Sequence, residues 1–254
     1  MKTVFLSDRG KVRQHNEDSA GVFQNLDGAI LAIVADGMGG HRAGDVASSM
    51  TIQLFHDYWK QTYNMDTPKK AEQWLRGHVE IINERVYKYA LENKECQGMG
   101  TTIVVAICTK QFATIGHIGD SRCYMISEGN MSLVTEDHSL VNELVRHGEI
   151  SKEDAEYHPR KHVLLRALGT EQQVTLDVKT LVIEQGDQLL LCSDGLSNKV
   201  SVEEMESMLQ TDATLEKKGE QLIERANDMG GEDNITLVLV DYIDSANESG
   251  CAQT

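Results

Sequence analysis

An α+β fold with helix pairs packed outside β-sheets is predicted by three features of this 254-residue chain. Continuous apolar runs at residues 29–35 and 189–192 read as strands covered on both faces, with a short buried helix as the alternative on periodicity alone. Apolar residues recur at three- and four-residue spacings in two separate regions, each holding two helical stretches. The resulting order is strands, two helices, strands, two helices, strand, which suits helices segregated from sheets.

The first apolar run leads straight into Asp36-Gly37. Ala47, Met50, Leu54 and Tyr58 then mark one helix, and Leu75, Val79, Ile82, Val86 and Tyr89 mark a second. Pro68 suits the first turn of that second helix. Residues 102–108 and 111–118 read as strands joined by a tight turn at Thr109-Lys110. Residues 122–127 and 131–135 read as a hairpin turning at Glu128-Gly129-Asn130. The run at 189–192 leads into Ser193-Asp194-Gly195. A second helix pair covers 202–210 and 215–229, the latter with an apolar face of Leu215, Leu222, Ile223, Ala226 and Met229. Residues 235–242 form a closing strand. The polar tail 244–254 has no apolar period and is expected to be disordered.

Composition narrows the class. Hydrophobic content of 40% and charged content of 25% are ordinary for a globular protein. No proline- or serine-rich linker divides the chain, so residues 1–243 are expected to form a single domain. No apolar run approaches the ~20 residues that span a bilayer, and the N-terminus lacks the layout of a signal peptide. A cytoplasmic, monomeric protein with no membrane partner is expected. The five cysteines are odd in number and unclustered, and Cys108, Cys123 and Cys192 sit in strand-like runs as small core residues. A net charge of −16 argues against a nucleic-acid partner.

Function is concentrated in five short acidic segments spread over more than two hundred residues. They are Asn16-Glu17-Asp18, Asp36-Gly37-Met38-Gly39-Gly40, Gly119-Asp120-Ser121-Arg122, Ser193-Asp194-Gly195 and Gly231-Glu232-Asp233-Asn234. Any one of them is a common turn sequence. Delivered together at strand ends, their carboxylates would form an oxygen-rich site selective for Mg²⁺ or Mn²⁺, less often Ca²⁺. Like charges in one site raise each other's pKa values, so convergence calls for a cation. Glycine after Asp36 and Asp194 would permit a sharp turn, and at Gly37 close approach of a backbone carbonyl to the ion. Two such ions about 4 Å apart can activate a water for in-line attack on phosphorus. Arg13, four residues before Glu17, could hold two phosphate oxygens at once.

These segments resemble the metal-dependent type 2C protein serine/threonine phosphatases over residues 7–242. The resemblance is carried by Arg13 with Asn16-Glu17-Asp18, Asp36-Gly37-Met38-Gly39-Gly40-His41, Gly100-Thr101-Thr102, Gly119-Asp120-Ser121-Arg122, Ser193-Asp194-Gly195 and Glu232-Asp233-Asn234-Ile235. The Met-containing second segment looks like the bacterial branch. The resemblance implies two packed antiparallel sheets flanked by helix pairs, a four-layer α-β-β-α sandwich with the metal centre at one edge. It implies Asp36 as a bridge between two Mn²⁺ or Mg²⁺ ions. Glu17 and the Gly37 carbonyl would serve one ion, and Asp194 and Asp233 the other. Asp18 would orient metal-bound water, Arg13 would bind the substrate phosphate, and Asp120 with Asp194 would hold a third ion. Thr101 and Thr102 match a strand start near the site, though a β-propensity pair in a core strand explains them equally well.

One departure concerns the proton donor. Animal-type members carry histidine where this chain has Met38, and a thioether donates no proton. His41 is not at the same position, so leaving-group protonation is expected from metal-bound water. Residues 138–169 correspond to the variable flap beside the site. Within it His158, Arg160, Lys161, His162 and Arg166 make a basic island without acidic residues, in which His162 is a candidate substrate-binding residue. The implied substrates are phosphorylated proteins, including a companion Ser/Thr kinase. A pseudophosphatase on the same fold is the alternative, disfavoured because every matched carboxylate is present.

Overall fold

Alternation along the central strands dictates the layering. In the computed structural model, which describes residues 1–40 and 43–243, β3 (Ile30–Met38) sends Leu31, Ile33 and Ala35 to one face and Ala32 and Val34 to the other. β5 (Ile103–Cys108) does the same, with Ile103, Val105 and Ile107 opposed to Val104, Ala106 and Cys108. Both faces of each strand are therefore buried, which is why these runs show no polar alternation.

Among the described residues all strand pairing is antiparallel and makes two sheets. One has the order β1 (Lys2–Asp8), β11 (Ile235–Asp241), β10 (Gln188–Cys192), β7 (Arg122–Ser127), β8 (Asn130–Leu133). The other has β2 (Asp18–Gln24), β3, β5, β6 (Phe112–Ile118), β9 (Asp177–Val182), with the two-residue β4 (Gly100–Thr101) on the end of β3. The inner faces meet through Ala32, Val34, Val104, Cys123, Leu189, Leu191, Val238 and Val240. Small residues on β3 and β5 let the sheets pack closely.

Each outer face carries a helix pair. α1 (Ala43–Trp59) and α2 (Pro68–Glu92) cover the β2–β9 sheet through Phe55, Trp59, Leu75, Val79, Ile82 and Val86. Thr67 caps α2 and Pro68 begins it, as its fixed φ favours. α6 (Val202–Leu209) and α7 (Leu215–Asp228) cover the other sheet through Met205, Leu209, Leu215, Leu222 and Ala226. A Ser201/Glu204 capping box opens α6. The expected four-layer α-β-β-α sandwich is the observed one. Cys108, Cys123 and Cys192 are buried in it, as expected.

Some elements lacked a legible period. β1 and β9 are edge strands with mostly exposed or half-buried side chains, and β2 is interrupted by Gly21. The flap carries two short helices, α3 (Leu140–Arg146) and α4 (Lys152–Glu156), and its base is closed by Leu140 N–H to Val163 and Leu165 N–H to His138. The β7–β8 hairpin falls where expected, but its turn is only Glu128 and Gly129, both at positive φ, because Asn130 already pairs with Ser127 in β8. The tail 244–254 and His41 lie outside the described residues. Among those described, no helix is long and apolar enough to cross a membrane.

Candidate metal centre and active site

The β2–β3 pairing creates the centre of the site by placing Asp18 directly opposite Asp36. Asp36 is not at a strand end, as the sequence suggested, but inside β3, and Gly37 continues the strand rather than turning it. The glycine is required for a different reason. A Cβ there would run into the Gly44 carbonyl of α1 and the backbone of Glu17, so β3 and α1 could not approach. Asp194 opens a short helix, α5 (Asp194–Ser197), and Gly195 packs flat against the Asn234 carbonyl. Asp120 follows Gly119, whose φ of +106° turns the chain out of β6.

A set of hydroxyls and amides fixes these carboxylates. Asp36 N–H donates to Thr102 Oγ1 at 3.0 Å, and the Asp36 carbonyl accepts from Thr101 Oγ1 at 2.9 Å and Thr102 N–H at 2.8 Å. Ser193 Oγ donates to Asp18 Oδ2 at 2.8 Å while accepting from Thr236 N–H. Asn234 accepts from Glu17 N–H at 2.8 Å and donates to the carbonyls of Arg9 and His15, tying the β1–β2 loop to the β11 entry. Ser48 Oγ donates to the Glu17 carbonyl at 2.6 Å. Arg13 Nη2 donates to Asp233 Oδ2 at 2.8 Å, with its side chain half exposed. Of these supports the sequence pointed only to the threonine pair, and only as a position. Ser193 and Asn234 belonged to recognised segments without a role, and Ser48 carried no signal. Arg122 of the third segment is structural, paired with Asp137 through two nitrogens.

Burial and mutual repulsion dominate the electrostatics. Asp36 is pushed well above the usual carboxylate range by desolvation and then by Asp18, Asp194, Asp120 and Asp233. Burial raises Asp18 to about 7, against hydrogen bonds from Thr236 and Ser193, with Asp194 and Asp233 adding to the rise. Asp120 also reaches about 7, through burial and the charges of Asp194 and Asp137. Asp194 and Glu17 rise mainly through desolvation. Arg13 rises despite partial burial because Asp233, Glu17 and Asp36 favour its charged form.

Among the described residues, no three His, Cys, Asp or Glu side chains are arranged as a closed ligand shell. The carboxylates nonetheless fit hard divalent ions. They crowd one another at a cost that a cation would relieve. Asp18 Oδ1 and Asp194 Oδ1 are also buried with no hydrogen-bond partner, although both are oxygen donors of the preferred type. Eight of the nine residues singled out by sequence meet here: Arg13, Glu17, Asp18, Asp36, Gly37, Asp120, Asp194 and Asp233. The ninth, His162, lines a cleft of about 620 Å³ between flap and site, together with Asp120, Asp194 and Lys161. Arg166 instead pairs with Asp177 at 2.8 Å, which removes it from the basic island.

The protein phosphatase 2C family model matches residues 9–239. The serine/threonine phosphatase stp of Listeria monocytogenes is 50% identical over 241 residues, covering 95% of this chain and 96% of that protein. The crystal structure of Stp1 from Staphylococcus aureus superposes with a TM-score of 0.89 at 38% identity, over 94% of this chain and 93% of that one. The catalytic domain of the phosphatase PstP, solved with two manganese ions, gives a TM-score of 0.83 at 34% identity over 96% and 98%. With the four-layer sandwich and the crowded carboxylate cluster already in place, these likenesses assign the chain to the protein phosphatase 2C family of metal-dependent serine/threonine phosphatases.

Proposed function

We propose that the chain hydrolyses phosphoserine and phosphothreonine in proteins with Asp36 as the central metal ligand. The supporting observation is the crowding of half-buried Asp36 by the charges of Asp18, Asp120, Asp194 and Asp233. In this reading Asp36 would serve two Mn²⁺ or Mg²⁺ ions. Glu17 and the Gly37 carbonyl would hold one, Asp194 and Asp233 would hold the other, and Asp120 with Asp194 would hold a third. When bound, the ions supply the Lewis acidity that makes water a nucleophile at neutral pH.

The chain's own residues do the rest. Ser193 fixes Asp18 Oδ2, which leaves Oδ1 free to accept a hydrogen bond from the attacking water and orient it. Arg13 stands on the rim, where its planar guanidinium can hold two phosphate oxygens while Asp233 anchors its other side. His162 lines the cleft that reaches Asp120 and Asp194 and would meet the substrate segment next to the phosphoresidue. Met38 offers no proton, so water protonates the departing alkoxide. The substrates in this reading are cytoplasmic phosphoproteins, among them a companion Ser/Thr kinase, and not nucleic acids. Residues 1–243 act as one monomeric catalytic unit.

Hydrolysis of a phosphothreonine peptide with Mn²⁺, with chelator and after Asp36→Asn tests the reading. Turnover should require the metal. It should fall roughly a hundred- to a thousandfold in the variant, the scale on which losing a principal charge-stabilising group acts. Activity that survives either treatment would refute the metal mechanism.

A further inference from the structure

Asp120, like Glu17 and Asp233, has no regular structure beneath it. Asp18 and Asp36 lie in paired strands and Asp194 begins a helix, but Asp120 follows the left-handed Gly119 after β6 has ended. Both polar groups of that glycine are captured by buried histidines. Gly119 N–H donates to His138 Nδ1 at 3.1 Å. The Gly119 carbonyl accepts from His117 Nε2 at 2.8 Å and from His138 N–H at 2.8 Å. The two imidazoles lie 4.3 Å apart. Thr102 fills the space where a Cβ of residue 119 would stand, which keeps the position glycine.

The tautomer of His138 follows from these contacts. Because Nδ1 accepts, the ring proton is on Nε2, which donates to Asp177 Oδ2 at 3.1 Å. Asp177 lies on β9 directly opposite His117 on β6. Its other oxygen accepts from Arg166 Nη1 at 2.8 Å. His138 begins the flap and Arg166 lies near its end, so one carboxylate staples both flap ends to the sheet.

We propose that His138 is a positioning residue for the reaction: it clamps the Gly119 peptide that aims Asp120, and through Asp177 it joins that clamp to both ends of the flap. A shift at either flap end therefore reaches Asp120 instead of being absorbed in a loose loop. The catalytic half of this inference rests on Asp120 belonging to the metal site, whereas the clamp itself rests on the hydrogen bonds alone. Small displacements of a group near reacting atoms cost far more in rate than in stability.

The test compares His138→Ala, His138→Asn and Asp120→Asn in the full chain. Three quantities are read: amide hydrogen exchange at residues 119–122, Mn²⁺ binding by calorimetry, and kcat and KM on a phosphothreonine peptide. His138→Ala should speed exchange at Gly119 by about tenfold or more, as expected when a buried donor loses its acceptor. Its weakest Mn²⁺ step should loosen by about tenfold, the scale of lost outer-shell support, with kcat reduced more than KM is raised. Asparagine places an oxygen near the position of Nδ1, so His138→Asn should restore part of all three.

Unchanged exchange and Mn²⁺ binding in His138→Ala would overturn the proposal. If that variant fails to fold, Asp177→Ala at a half-exposed position serves in its place. It should still speed exchange at Gly119 and protease cleavage of the flap, and exchange like wild type there would overturn the coupling. If Asp120→Asn leaves Mn²⁺ binding and turnover intact, Asp120 is not a ligand and the catalytic half falls, while the exchange data still judge the clamp.

Discussion

Thr102 serves two site residues with one hydroxyl. It accepts from the Asp36 amide at 3.0 Å and shares a hydrogen bond with Ser121 Oγ at 2.7 Å, so the Asp36 and Asp120 segments are referenced to one atom. Valine has the same shape and an equal liking for strands, but it would strand the Asp36 N–H in a buried position. Thr102→Val should cost about 1–3 kcal/mol, the penalty for an unsatisfied buried donor. Turnover should fall about tenfold as Asp36 loosens, since near-reaction geometry is sensitive to small shifts. Thr102→Ser should keep most of both. Denaturant unfolding and Mn²⁺-dependent turnover decide it, and a valine variant with wild-type kcat would leave Thr102 as only a strand former. The sequence placed this threonine near the site but gave it no partner. Its bonds run to residues 66 and 19 positions away, beyond the reach of any local pattern. Ser193 and Asn234 were opaque for the same reason: what they do depends on which loops the fold brings together.

Among the elements, the flap is where local sequence said least and function depends most on placement. α3 has no buried residue, so no apolar period marked it, and neither β1 nor β9 has a fully buried side chain. The central strands and the two long helix pairs were legible because they bury whole faces. The exposed basic residues of the flap now divide into two groups. Arg166 is committed to Asp177, while Lys161 and His162 line the cleft that reaches Asp120 and Asp194. Arg160 and Lys161 carry no ion pair among the described residues. Replacing both with alanine should raise KM for a phosphopeptide by several-fold, each exposed charge contributing roughly 0.2–1 kcal/mol. KM for a small aryl phosphate, too short to reach the flap, should not move. Steady-state kinetics on the two substrates separate the cases, and an equal rise in both would place these residues at the phosphate instead. Gly37 shows the opposite kind of error. Of the two reasons given for a glycine there, the turn gives way to the crossing of β3 by α1, while close approach of its carbonyl to an ion stays part of the proposed reading.

For the whole molecule, the buried carboxylates make stability depend on pH in a direction opposite to ordinary acid lability. Asp18 and Asp120 are raised to about 7, and Asp36 is raised well above the ordinary carboxylate range, mainly by desolvation. Their unfolded value is near 3.8, so between these limits the folded chain holds protons that the unfolded chain releases. The unfolded state then binds fewer protons, and unfolding free energy falls as pH rises. Histidines oppose this at lower pH. Burial holds His117 down to about 4 and also depresses His138 and His78, so below about 6.5 the unfolded chain gains protons at these sites. The window in which the acids act alone is therefore about pH 8 to 6.5. In chelator, acidification across it should stabilise the fold by about 1 kcal/mol for each acid raised to near 7. For a chain of this size that corresponds to a rise in Tm on the order of 5 °C. The gain should level off below pH 6.5 as the histidines begin to oppose it. With saturating Mn²⁺ the slope should reverse, because cations bind the ionised carboxylates and their affinity falls as protons compete. Thermal melts at four or five pH values, with chelator and with Mn²⁺, measure both slopes. A Tm that falls on acidification in chelator would show that these carboxylates are already ionised, and so not crowded together, in the metal-free protein.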